Sequence, residues 1–222
     1  MAPRAEPPRW PDLAHERELW SCGARRIAGL DEAGRGAWAG PVVAAAVVLP
    51  PDRADLLDLL PGVRDSKLMT RRQRERWAAS ILACALAVGV GETPPEQVDT
   101  IGLIAATRAA MRAALQALSF SPDHLLIDHL RLTGVSVPQT PLTHGDARVL
   151  SIAAASVIAK VCRDARMREL DALHPGYGFA DHKGYGTARH REALAMLGPS
   201  PIHRFTYAPI AMRLQLEAPA HS

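Results

Sequence analysis

Between Arg26 and Leu49 the hydrophobic pattern changes twice: an apolar run ends in Asp31-Glu32, glycines follow, and a run of Val and Ala extends from Pro41 to Leu49. The two apolar runs predict a strand pair joined by a Gly-rich connection, the second strand buried. From Thr70 to Leu86, Trp77, Ile81 and Leu82 recur at helical spacing, with Thr70 placed as N-cap. Leu86 to Glu92 reads as a short strand closed by Thr93-Pro94-Pro95, and Thr100 to Leu118 as a helix. Pro122 to Asp128 predicts a buried strand whose last residue is an acid. Val135 to Thr143, interrupted by Pro138 and Pro141, suits a sheet edge. Ala147 to Leu170 is the longest helix, and its first turns are small and apolar, as close packing on a sheet requires. From His174 onward Gly, Pro, His and aromatic residues mix with one short helix over Ala188 to Leu197.

Strands alternating with helices in this order predict an α/β domain, a central mixed β-sheet flanked by helices, with a small C-terminal helix and loop cap from about residue 174. Residues 1–24, rich in Pro and Arg with Trp10 and Trp20 as large apolar anchors, read as a loosely attached arm, and residues 25–222 as a single domain. The net charge of +3 and pI near 9.0 permit a polyanionic partner without requiring one. Arg far outnumbers Lys, which occurs only at Lys67, Lys160 and Lys183, a skew that reads more readily as coding composition than as selection for phosphate binding. Cys22, Cys84 and Cys162 are odd in number and lack metal-ligand spacing, so they read as reduced thiols. No export signal is visible, and no apolar run reaches the roughly 18 residues of a membrane span. A monomer in the cytoplasm is the expectation.

Four acids fall at the ends of predicted elements: Asp31 and Glu32 after the first strand, Asp128 after a later one, and Asp146 at the start of the long helix. A layered sheet lines such ends along one edge, where they can converge. Two carboxylates ~4 Å apart repel by about 4 kcal/mol at an effective dielectric of 20, so a converged set calls for cations. Mg²⁺ or Mn²⁺, taken as a pair, suits oxygen ligands and phosphodiester cleavage. Simpler roles stay open for each acid. Asp146 sits where a helix N-cap would, and Asp128 where a turn would begin. Asp31 and Glu32 on a regular strand would face opposite ways, and can share a site only if the strand ends or twists there.

Gly34-Arg35-Gly36 with Gly40 does not have dinucleotide-binding spacing and precedes a strand rather than a helix. Glycines beside acids let the backbone approach a ligand closely, and a 2′-hydroxyl, both donor and acceptor, is a suitable one. His182-Lys183-Gly184-Tyr185-Gly186 offers a ring to stack on a sugar or base and a cation, Lys183, for a phosphate; a packed loop is the plainer alternative. Asp65-Ser66-Lys67 is either a simple turn or a nucleic-acid contact through Lys67. His144, beside Asp146, is more often a hydrogen-bonded residue than a proton shuttle.

Taken together, IAGLDEAGRGAWAGPVVAAAVVL (27–49), DSKLMT (65–70), LLID (125–128), GDARVLSIAAASVIAKVCRDARM (145–167), HPGYGFADHKGYGT (174–187) and HRFTYAP (203–209) closely resemble ribonuclease HII, in the family's order. The resemblance implies a ribonuclease H-like fold and a metal-dependent endonuclease that cuts RNA in RNA-DNA hybrids. It also implies cleavage 5′ of single ribonucleotides embedded in duplex DNA, leaving 3′-hydroxyl and 5′-phosphate ends. By position, Asp31, Glu32, Asp128 and Asp146 match the family's catalytic metal-binding acids, Asp146 as the more mobile, second-metal ligand. Gly34, Arg35 and Gly36 match the loop that reads the 2′-hydroxyl, and Tyr185 the ring that stacks on the neighbouring deoxyribose. Three positions depart from the pattern: His129 replaces a common Gly, His144 a common Lys, and His203-Arg204-Phe205-Thr206 is one Arg short, which puts a phosphate contact in doubt. Arg35 argues against the sister ribonuclease HIII, and the tail EAPAHS lacks the aromatic pair of a sliding-clamp docking peptide. A non-catalytic hybrid-binding protein of the same fold is the alternative; it would lack at least one metal acid, and all four are present.

Overall fold

The buried, alternation-free run Val42–Val48 is an interior strand with both of its faces covered. A computed structural model describes the backbone of residues 10–217 and the side chains of 10–212. Its sheet has the order β3-β2-β1-β4-β5, with strands β1 (Ile27–Ala33), β2 (Val42–Val48), β3 (Ala87–Thr93), β4 (His124–Asp128) and β5 (Gln139–Leu142). β1, β2 and β3 pair antiparallel, while β1-β4 and β4-β5 pair parallel. The sheet is therefore mixed, as expected, and the proline-containing β5 lies at its edge.

One face carries α6 (Leu150–Leu173) and α3 (Arg71–Cys84), the other α5 (Leu103–Gln116) with the short α4 (Pro95–Ile101). α6 lies against β1 so closely that a Cβ at Gly29 would come 2.2 Å from the Ser151 carbonyl carbon. That contact fixes the start of α6 against the middle of β1. α3 begins with a capping box: Thr70 Oγ1 accepts from the Gln73 N–H at 3.3 Å, and Gln73 Oε1 accepts from the Thr70 N–H at 2.8 Å. The remaining short helices are α1 (Ala14–Ser21), α2 (Leu56–Leu59), α7 (Phe179–His182), α8 (Ala188–Leu197) and α9 (Ala208–Glu217). The last three form the C-terminal cap, in which α8 has the expected bounds. Among the described residues no helix is long and apolar enough to cross a membrane.

Two local expectations are corrected. The helix expected over Thr100 to Leu118 starts earlier, at Pro95, and is broken at Gly102, whose φ of +79° no helix accommodates. Of the supposed loose arm, residues 1–9 lie outside the described residues, but the rest is docked. Leu13 and Glu16 are each 1% exposed. The Asp12 carbonyl accepts from the Leu150 N–H at 2.9 Å, and Glu16 Oε1 accepts from the Ser151 N–H at 2.8 Å. α6 has no side-chain cap of its own, so these contacts satisfy N–H groups that its first turn leaves open. The arm is held by the helix that it caps.

Candidate active site

The parallel register of β1 and β4 ends at Leu30 opposite Ile127, so the next residue on each strand is an aspartate, Asp31 and Asp128. Asp128 Oδ1 accepts from the Gly145 N–H at 2.8 Å, which ties the end of β4 to the 3₁₀ turn Gly145–Ala147 and hence to Asp146. Asp146 is not a helix cap: α6 starts only at Leu150, after Val149. The cap role is thus excluded, and Asp146 is buried facing the other acids. Glu32 lies within β1, not beyond it, one residue before the strand's end. His129 has φ +56°, a conformation that glycine adopts without strain, so the backbone explains why glycine is common at this position and not why histidine replaces it; His144 has the same φ.

The electrostatics are those of a site short of positive charge. Asp31 is 3% exposed, and burial, together with the charges of Glu32, Asp128 and Asp146, holds its carboxyl well above the usual carboxylate range. Burial likewise raises Glu32, although Arg35 Nη1 donates to its Oε1 at 3.1 Å. Burial and the charges of Asp65 and Asp128 raise Asp146. Lys67 Nζ stands 3.7 Å from Asp146 and 3.8 Å from Asp65, held at the rim by the 3₁₀ turn Ser66–Leu68. Asp31 Oδ2 and Glu32 Oε2 are buried without a hydrogen-bond partner. Buried acceptors are ordinarily satisfied, so these two orphaned oxygens suit a hard divalent cation. Among the described residues no three of these groups already form a closed cage for an ion.

In front of the acids opens a cleft of about 710 Å³ whose lining includes Glu32, Gly34, Arg35, Gly36, Lys67 and Tyr185. Gly34 has φ +95°, and a Cβ there would lie 1.9 Å from Arg163 Nε, so the fold itself demands glycine. Gly36 differs. A Cβ there would meet nothing within 4 Å, and the space it would enter belongs to the cleft. Lys183, in contrast, does not reach the cleft. It is 8% exposed, donates to the Ala180 carbonyl, and lines a neighbouring cavity with Tyr185.

Several supporting residues escaped the sequence reading. Arg204, in the segment that is one Arg short of the family pattern, is fully buried and donates to the Gly34 carbonyl at 2.8 Å, the Arg35 carbonyl at 2.8 Å and the Gly40 carbonyl at 2.9 Å. It is the clamp of the glycine loop. Arg163, also fully buried, donates to the carbonyls of Pro41 at 2.9 Å, Ala39 at 3.2 Å and Lys183 at 3.0 Å, so it joins the start of β2 to the Tyr185 loop. His190 and His203 form a third support. The Ser200 N–H donates to His203 Nδ1 at 2.8 Å, so His203 donates through Nε2 to His190 Nε2 at 3.0 Å, and His190 Nδ1 donates to the Tyr185 carbonyl at 3.0 Å. The chain requires both rings neutral, and burial lowers each to about 4.

Comparisons with known proteins point to one family. The sequence model of the family described as Ribonuclease HII matches residues 28–210. A Ribonuclease HII of Chloroflexus aurantiacus is 56% identical over 200 residues, covering 90% of this chain and 94% of the relative. Among solved structures, ribonuclease H2 from Pyrococcus horikoshii superposes with a TM-score of 0.71 at 24% identity, covering 86% of this chain and 98% of that one. Bst-RNase HIII in complex with Mn²⁺ gives a TM-score of 0.63 at 19% identity over 87% of this chain and 70% of that one. Both share the ribonuclease H-like fold seen here.

Proposed function

The chain belongs to the ribonuclease HII family, metal-dependent ribonucleases H that cut RNA in RNA-DNA hybrids, and from that premise we propose that it also nicks duplex DNA on the 5′ side of single embedded ribonucleotides. The observation that carries the reading is the meeting of the ends of β1 and β4 with the 145–147 turn, two buried carboxylate oxygens orphaned, beside a cleft left open at Gly36.

Asp31, Glu32, Asp128 and Asp146 would hold divalent cations of the Mg²⁺ or Mn²⁺ class, two with substrate, which supply Lewis-acid activation of water and charge stabilisation at the leaving oxygen. A Mn²⁺ complex of a related fold supports that metal class. Arg35 keeps Glu32 in place at the cleft wall. The backbone at Gly34 to Gly36 offers donor and acceptor groups to a 2′-hydroxyl, with no side chain at Gly36 to keep the ribose away. Tyr185 presents its ring across the cleft for the adjoining deoxyribose, and Lys67 supplies a cation at the rim. Cleavage in this frame leaves 3′-hydroxyl and 5′-phosphate ends.

The test compares a duplex carrying one ribonucleotide with a continuous RNA-DNA hybrid. Wild type is expected to cut both, and Tyr185→Ala to lose more on the former. A wild type active on the continuous hybrid alone would overturn the embedded-ribonucleotide assignment.

A further inference from the structure

Next to the cleft lies a second cavity of about 470 Å³, lined by Arg71, Arg74, Lys160 and Lys183 against only two carboxylates, Asp164 and Asp181. Both acids are already engaged. Asp164 accepts from Lys160 at 2.6 Å and from Arg74 at 3.3 Å, and Asp181 pairs with Arg189 on the outer surface. Lys183 has no carboxylate at ion-pairing distance among the described residues.

Lys183 is built into the cavity wall rather than laid on the surface. Its backbone is in the left-handed region at φ +54°, its N–H donates to the Phe179 carbonyl at 3.0 Å, and its carbonyl is held by Arg163 at 3.0 Å. The side chain is nearly buried, and its amine spends one proton on the Ala180 carbonyl. Burial, with the repulsion of Arg168, Arg71 and Lys160, lowers its affinity for its own proton. A bound anion would reverse that penalty. Lys160 and Tyr185 line both this cavity and the cleft, so the two adjoin at these residues.

We infer that this cavity is a second anion subsite, in which Arg71 and Lys183 take a backbone phosphate of the duplex beyond the nucleotide at Tyr185. The assignment rests on the nucleic-acid reading of the cleft. A phosphodiester fits the lining because Arg71, whose Nε donates to Glu75 at 2.8 Å, has its terminal nitrogens to offer and Lys183 presents a point charge, the two modes by which proteins hold phosphate oxygens. The carboxylates discriminate less against one shared phosphate charge than against a more highly charged free phosphate.

The experiment measures binding of a hybrid duplex without divalent metal, so that no strand is cut, to wild type, Arg71→Gln and Lys183→Asn. Arg71 is on an exposed helix start, and Asn tolerates the left-handed backbone, so each variant keeps the fold. Each is expected to reduce the dependence of log Kd on log salt by about one unit. Neutral methylphosphonates placed one at a time along the strand should weaken wild-type binding several-fold at one position outside the cleft, and this loss should be absent in both variants. Salt dependence and methylphosphonate profiles identical to wild type would overturn the subsite. So would inorganic phosphate stabilising wild type but not the variants while duplex binding is the same in all three, since the site would then serve a small free anion. If wild type itself bound no hybrid, the reading of the cleft would fail first and this assignment with it.

Discussion

The buried Arg204 guanidinium donates to the Gly34 carbonyl at 2.8 Å, so a residue from the C-terminal cap holds the loop beside Asp31 and Glu32 in shape. Lysine cannot span the carbonyls of Gly34, Arg35 and Gly40 from one nitrogen. Arg204→Lys is therefore expected to cost about 3 kcal/mol of stability. Displacement of the loop should slow cleavage by roughly 100-fold. Denaturant unfolding and single-turnover rates measure the two effects.

Gly36→Ala separates what the ligand requires from what the fold requires. The added methyl meets no protein atom within 4 Å, so unfolding should stay within about 0.5 kcal/mol of wild type. Cleavage of a single-ribonucleotide duplex should nonetheless drop, because the methyl enters the space proposed for the ribose. A drop in stability with unchanged cleavage would contradict that placement.

Burial pushes the Glu16 carboxyl up to about 7. A carboxyl raised in the folded state gives stability that is full below the ordinary value of 4.5 and lost as pH rises through about 7. Glu16→Gln keeps an acceptor for the Ser151 N–H and removes the charge, so it should match wild type near pH 4 and exceed it by about 3 kcal/mol above pH 7. Thermal melts across that range check it.

His190 and His203 carry the opposite sign. Their folded values, about 4, lie below the ordinary 6.5, so the stability they lend is full above pH 6.5 and lost as pH falls through 4. Protonation would set two N–H groups against each other at 3.0 Å and open the cap. Trp38, whose ring lies 5.4 Å from that of His190, should report the opening as a fluorescence change between pH 6.5 and 4. In His190→Gln that change should be lost.

How much of this could be read from the chain depends on how local its cause is. Thr70 and Gln73 cap a helix three residues apart, and the Val-rich run of β2 needs only its own pattern, so both were legible. Asp31, Glu32, Asp128 and Asp146 were legible as residues at or near element ends, although the three residues between Asp146 and the start of α6 were not. Arg163, Arg204 and Glu16 were missed for one reason. Charged side chains are ordinarily exposed, and the partners that hold these three inside come from distant segments: carbonyls at Gly34, Ala39 and Gly40, and the Ser151 N–H. Nothing near them in sequence announces those partners.

In the proposed function, Asp31 and Asp128 at the ends of β1 and β4 make the cation-dependent cutting site. The direct measurement is cleavage of a single-ribonucleotide duplex in Mg²⁺ or Mn²⁺ by Asp31→Asn and Asp128→Asn, with duplex binding followed in parallel. Both variants are expected to lose cleavage and keep most of their binding. Full cleavage by both variants would contradict that function.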